Sequence, residues 1–232
     1  MDSPDAPKKP RSPWLYVLLG CGGLAALMCL GVTVFFLFIA KKGSDFVAGM
    51  TDPTVKVENA RKQLGVIPDG YDVIASMNAF GMMEVTLLAD QTTADGGIGE
   101  QARVFQFTHV MANENNKSAK AFFADGEAGG RLGSTNIHVR PEDVMKRGQL
   151  TVDGRALRYV VARGVLGGGG ARRDGLHTLV LFNCPGDALS MAVWSQPDPS
   201  PGTAPEALEL AGTVADEAEL ARFLKPVDPC GR

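Results

Sequence analysis

Twenty-seven consecutive positions, 14 to 40, carry no charged side chain (WLYVLLGCGGLAALMCLGVTVFFLFIA). As a helix rising about 1.5 Å per residue the run would measure roughly 40 Å, against a hydrocarbon core of about 30 Å, so it predicts a tilted transmembrane helix. Lys8, Lys9 and Arg11 close one flank, Lys41 and Lys42 close the other, and Trp14 and Tyr16 stand where an interfacial aromatic belt would. The run is longer than the roughly 7–15 apolar residues of a cleavable signal peptide and passes directly into Lys41-Lys42, which argues against cleavage. Leu18-Leu19-Gly20-Cys21 loosely matches a lipobox, but apolar and small residues continue well beyond it, and a full span needs no lipid.

After a short linker, 41–51, the pattern becomes that of a folded domain. Asp52-Pro53 followed by Val57, Ala60, Leu64 and then Gly65 predicts a helix with a capping Asp, a proline in the first turn and a glycine stop. Beyond Pro68-Asp69-Gly70 the period falls to two. Tyr71, Val73, Ala75 and Met77, then Met83, Val85 and Leu87, predict a strand pair joined through Asn78–Gly81. A glycine-rich loop spans 94–99, and a third strand follows over 104–111 with Phe105, Phe107 and Met111 pointing one way. Residues 117–124, with Phe122 and Phe123, predict a helix ended by Gly126. Asp153-Gly154 between 149–152 and 156–161 is a tight hairpin signal. A second hairpin is predicted from 178–182 and 189–194 around Asn183-Cys184-Pro185-Gly186-Asp187. After a proline-rich loop, 196–201, the C-terminal part reads as helix, with Leu220, Phe223 and Leu224 on one face and Pro226 as terminator.

Hairpins flanked by helices imply an α+β domain in which helices pack on an antiparallel sheet. No repeat of solenoid length recurs. The expected organisation is a short basic tail, 1–13, a transmembrane helix, 14–40, a linker, 41–51, and one α+β domain, 52–232.

Charge and cysteine usage bear on where that domain sits. Three basic residues flank the N-terminal edge of the span and two the C-terminal edge, which with the short tail favours a cytoplasmic N-terminus and an extracytoplasmic C-terminal domain. Residues 46–232 hold 18 Lys and Arg against 23 Asp and Glu, a formal charge of −5. Such a surface does not invite nucleic acid. Of the four cysteines, Cys21 and Cys29 lie in the span, while Cys184 and Cys230 form an even pair open to one disulfide in an oxidising compartment. The reading with two free thiols stands beside it. A bridge closing that loop would contribute about 3–4 kcal/mol in the chain-entropy picture. Within the span Cys21, Ala25, Cys29 and Thr33 recur every fourth position with Gly22 and Ala26 beside them, a small-residue face that could seat a second copy of the helix.

Chemistry is sparse. His109, His138 and His177 are isolated, without HxH or HExxH spacing, and no metal or cofactor site is expected. His109 shares a strand face with Phe105 and Phe107 and reads as a packed residue. Ser134 lacks the second glycine of a nucleophile elbow. The stretch 164–175, GVLGGGGARRDG, offers backbone N–H groups and Arg172 and Arg173 to an anion. It lacks a Lys-Ser/Thr ending and a following helix, so it reads better as a hairpin loop. Glu142-Asp143 and Asp216, Glu217 and Glu219 read as charges at helix starts. The expected function is a non-catalytic module of the cell envelope, held beside the lipid bilayer, that binds another protein or senses a ligand. The alternative is a membrane-tethered hydrolase using one of the histidines with a carboxylate.

Overall fold

The computed structural model describes residues 51–79, 81–124, 130–132, 137–166 and 173–230. All belong to one unit, 46–232. The apolar run 14–40, with the small-residue face of Cys21, Gly22, Ala25, Ala26, Cys29 and Thr33, lies outside the described residues, as do Gly126, Ser134 and Arg172. Among the described residues no helix is long and apolar enough to cross a membrane.

The first helix, α1, runs Pro53–Leu64. The Asp52 carboxylate accepts from the N–H groups of Thr54 and Val55, at 2.8 and 3.3 Å, so two of the donors left open at the helix start are satisfied. Gly65 ends it at φ +78°, and Ala60 and Leu64 are buried. The strands are β1 Asp72–Ala79, β2 Met83–Ala89, β3 Val104–Val110, β4 Gly130–Arg131, β5 His138–Val139, β6 Val144–Val152, β7 Arg155–Leu166, β8 Arg173–Phe182 and β9 Leu189–Gln196. Two further helices are α2, Asn115–Ala124, and α3, Glu217–Leu224.

Seven strands form one antiparallel sheet in the order β1-β2-β3-β9-β8-β7-β6, and β4 with β5 makes a separate two-stranded pair. The sheet consists of two meanders, β1-β2-β3 and β6-β7-β8-β9, sewn together where β9 pairs with β3. One row of cross-strand neighbours, Leu88, Phe105, Trp194, Thr178 and Val161, faces α1 and α3. The opposite face carries Leu179, Leu181, Met191 and Val193 and is covered by Phe122 and Phe123 of α2 with Leu132, Ile137 and Val139. The sheet is therefore packed on both sides. β9, buried at every position, lost the polar alternation that a one-sided sheet would show.

The β6–β7 turn is a two-residue turn in which Asp153 and Gly154 both take positive φ, +48° and +77°, the geometry that continues the strand twist. β6 begins five residues earlier than the sequence signals, because Gly148 interrupts its pattern. A Cβ at Gly148 would lie 2.5 Å from the Tyr159 hydroxyl, so glycine is what lets that ring cross the strand. The 164–175 stretch also differs from a simple loop. Gly164 and Gly175 are cross-strand partners, β7 continues to Leu166 and β8 starts at Arg173. The C-terminal helix is shorter than its hydrophobic pattern suggests. Residues 202–216 hold one 3-10 turn, Pro205–Ala207, because Gly202 and Gly212 take φ +83° and +70° and Pro205 interrupts the run.

The chain end is fastened by a disulfide. Cys184, in the β8–β9 turn, is bonded to Cys230 with S–S 2.02 Å across 46 positions of sequence.

Candidate functional site

The three histidines come first, since the enzymatic alternative depends on them. His177 on β8 is 1 % exposed, and its Nε2–H donates to the Gly164 carbonyl at 2.8 Å. In the neutral ring Nδ1 then accepts from the hydroxyl of Ser195, its cross-strand neighbour, also at 2.8 Å. Both ring nitrogens are thus engaged in hydrogen bonds within the sheet. His109 on β3 sits opposite Ser190 on β9, with Nδ1 and Oγ 2.8 Å apart. His138 is exposed on β5. The strands separate the three and give two of them serine partners. Among the described residues no group of three or more His, Cys, Asp or Glu could hold a metal ion.

The acidic pairs also resolve into fastenings. Asp143 forms a two-pronged ion pair with Arg140, at 2.8 and 2.9 Å. Asp216 caps α3 by accepting from Ala218 N–H. Glu217 holds both Lys146 and the Tyr159 hydroxyl, partners 71 and 58 positions away that no local pattern reveals. Those bonds keep the Glu217 carboxyl below the usual range, and the Lys146 ammonium above its own, chiefly through their mutual hydrogen bond.

A cavity of about 790 Å³ lies on the α3 side of the sheet, bounded by the turn before β1, the ends of β2 and β3, the β6–β7 turn and α3. Its aromatic wall is built from three distant parts of the chain. Trp194 of β9 stacks on Phe223 of α3 at 4.3 Å and 12°, and Tyr71 packs on Phe223 at 4.9 Å. The Trp194 indole N–H donates to the Tyr71 hydroxyl at 2.8 Å. This bond uses the acceptor side of Tyr71 and leaves its own proton to whatever enters. Burial, with the Asp90 and Glu219 carboxylates, outweighs the Trp194 N–H and Arg103 and pushes the Tyr71 hydroxyl up to about 12, so it remains a neutral donor.

Charges of both signs surround this wall. Asp90 and Arg103 are tied through main chain and side chain, and Arg103 also donates to the Gly212 carbonyl at 2.9 Å. Glu219 pairs with Arg222, and Asp69, Asp153 and Lys225 complete the lining. With four carboxylates against three cations, the cavity suits a polar ligand that both donates and accepts hydrogen bonds, held beside one neutral phenol. Its volume is in the range of small-molecule pockets, about 300–1,000 Å³. None of its members carries a motif, which is why the sequence did not reveal it. Compared with protein-family models, with curated proteins and with solved structures, the chain finds no match.

Proposed function

We propose that the chain is a single-pass membrane-anchored protein presenting an extracytoplasmic α+β domain, a non-catalytic binding or sensing module of the cell envelope. The observation that carries this reading is the Cys184–Cys230 disulfide, because such bonds persist in oxidising compartments and are rare where thiols are kept reduced. Joined to the uncharged run 14–40 and its basic flanks, it supports a cytoplasmic N-terminus and an exported domain. The Tyr71–Trp194 cavity supports the sensing half of the reading, being concave, partly apolar and supplied with convergent donors and acceptors. The histidines support a binding module over a hydrolase, since His177 is sealed within the sheet and engaged at both nitrogens.

A thiol-labelling experiment tests the proposal. In a Cys21→Ser, Cys29→Ser background, a membrane-impermeant maleimide added to intact cells should label the protein only after prior reduction. Labelling that requires lysis and no reductant would overturn both the orientation and the exported disulfide.

A further inference from the structure

The polar groups of the Tyr71–Trp194 cavity lie at two depths. Tyr71, Asp90, Arg103 and Glu219 are half-buried, whereas Asp69, Asp153, Arg222 and Lys225 are exposed. Charges in contact with solvent are screened by water and salt, so selection falls to the inner set. There the charges are already matched. The Asp90 carboxylate accepts from the Arg103 main-chain N–H at 2.7 Å, and Glu219 is paired with Arg222 one turn along α3. Two carboxylates, Asp90 and Glu219, thus stand against two guanidinium groups, Arg103 and Arg222, and an ion of either sign would meet as much repulsion as attraction.

Matching the charges does not exhaust the hydrogen bonds. Among the described residues Asp90 Oδ2 and Glu219 Oε1 have no donor, and Arg103 spends one terminal N–H on the Gly212 carbonyl, at 2.9 Å. Tyr71 receives the Trp194 N–H and keeps its own proton. A carboxylate carries about four acceptor sites and a guanidinium five donors, so most of the capacity of these planar groups is open to a ligand. A hydroxyl is the neutral group that accepts from a phenol and donates to a carboxylate through one atom, and adjacent hydroxyls match both prongs of a carboxylate or a guanidinium. An amide divides those roles between two atoms. An ammonium ion cannot accept the phenol proton, and a carboxylate brings nothing to donate to Asp90 and Glu219. Trp194, Phe223 and Pro226 complete the wall with apolar surface of the kind that meets the C–H face of a sugar ring.

We propose that this cavity binds a short neutral oligosaccharide, the Tyr71 hydroxyl and Arg103 donating to its hydroxyl oxygens while Asp90 and Glu219 accept from its hydroxyl protons. The volume, about 790 Å³, lies in the upper part of the range for small-molecule pockets, about 300–1,000 Å³, and favours an oligomer over a single sugar. This assignment rests on the reading of the domain as a binding module and names the chemistry that its cavity takes.

The test uses the full-length chain in lipid nanodiscs, labelled with 5-fluorotryptophan, with the Trp14→Phe variant separating the Trp194 signal from that of Trp14. An array of neutral oligosaccharides selects the probe, and the best binder is titrated in solution. The Trp194 ¹⁹F resonance should shift saturably, with a Kd that holds within about twofold between about 0.05 and 0.5 M NaCl. Tyr71→Phe should weaken binding roughly tenfold, as should a deoxy analogue lacking one bonded hydroxyl. Tyr71→Phe also strips the Trp194 N–H of its acceptor, so Glu219→Ala is the deciding variant. It should weaken binding roughly tenfold with the melting temperature unchanged, an ion pair with an exposed arginine contributing little to stability. Equal binding by Glu219→Ala, an affinity that falls tenfold or more across the salt range, or no saccharide that moves Trp194 overturns the assignment. A parallel screen of amino acids, short peptides and organic ions separates two failures. If one of these moves Trp194 where sugars do not, the saccharide is wrong and the binding module stands. If nothing moves Trp194, the saccharide and the cavity's part in that reading fall together.

Discussion

Tyr71 and Gly148 show how much single positions decide here. The Tyr71 hydroxyl is elevated to about 12, first by burial and then by Asp90 and Glu219. An unfolded tyrosine ionises near 10. The raised pKa means that the stability Tyr71 contributes is fully present below about pH 10 and is lost as pH climbs toward 12, where the unfolded chain gives up the proton first. Tyr159 is raised too, by burial and by its bond to Glu217. Absorbance titration at alkaline pH should therefore show these two tyrosines ionising late, with the Tyr71→Phe variant losing the later component. A Tyr71 that ionises with free tyrosine would mean its hydroxyl is bathed in water and the cavity wall is open. At Gly148 the prediction is steric. An added methyl would collide with the Tyr159 ring, which is buried and anchored to Glu217, so Gly148→Ala should destabilise the fold by about 1–3 kcal/mol in chemical denaturation, as overpacking does. Glycine inside a strand pattern also explains why the first half of β6 was illegible, since propensity reads it as a break.

At the level of elements, legibility followed locality. The cap of α1, the Asp153-Gly154 turn and the Cys184–Asp187 turn are fixed by neighbours in sequence, and the chain announces all of them. β9 and the inner parts of β7 and β8 are covered on both faces, so their alternation is blurred and neither the order of strands nor the three-layer packing could be read off. The tiny β4–β5 pair has too few residues to make a pattern. The 196–203 loop is the opposite case, a segment whose prolines are visible but whose anchor is 35 residues away. Arg163 of β7 donates Nε–H to Asp198 at 2.8 Å and one N–H from each terminal nitrogen to the carbonyls of Thr203 and Ser200. Both ionic side chains are mostly covered, at 14 % and 18 % exposure. Arg163→Ala leaves three acceptors unmatched and should cost about 2–3 kcal/mol. Burial alone would push the Asp198 carboxyl up, but Arg163 and the Ser200 N–H outweigh it and hold it below the usual carboxylate range. The stabilisation is therefore present above the unfolded value, about 3.9, and disappears as pH falls through the lower folded one. In denaturation series between pH 6 and 2, Asp198→Asn should flatten the acid limb relative to the parent chain, while an unchanged limb would assign acid sensitivity to other carboxylates.

For the molecule as a whole, the disulfide joins the fold's construction to its proposed location. Residues 225–230, after α3, form no helix or strand and make only an isolated antiparallel bridge from Val227 to Gly65. They are bound instead at several points, by Asp228 N–H to the Leu64 carbonyl at 2.8 Å, by Arg155 donating to the Val227 carbonyl at 2.6 Å, and by Cys230 to Cys184. Lys225 and Pro226, at the start of this segment, line the cavity beside Tyr71 and Trp194 together with Phe223 of α3. No local motif could have assembled that wall, because turn, central strand and last helix meet only once both meanders are paired. Cutting the covalent tie should therefore act twice. The Cys184→Ser, Cys230→Ser variant should lose about 3–4 kcal/mol in guanidinium unfolding, the chain-entropy value for a loop of this length. The same variant should also expose Trp194, whose emission should shift to the red and quench more readily with iodide while the central strands keep their amide-exchange protection. A parent protein treated with reductant should reproduce both changes. If reduction leaves stability and Trp194 untouched, the hydrogen bonds to Leu64 and Arg155 suffice to hold the tail, and the bond's value to the protein would have to lie elsewhere than in the cavity.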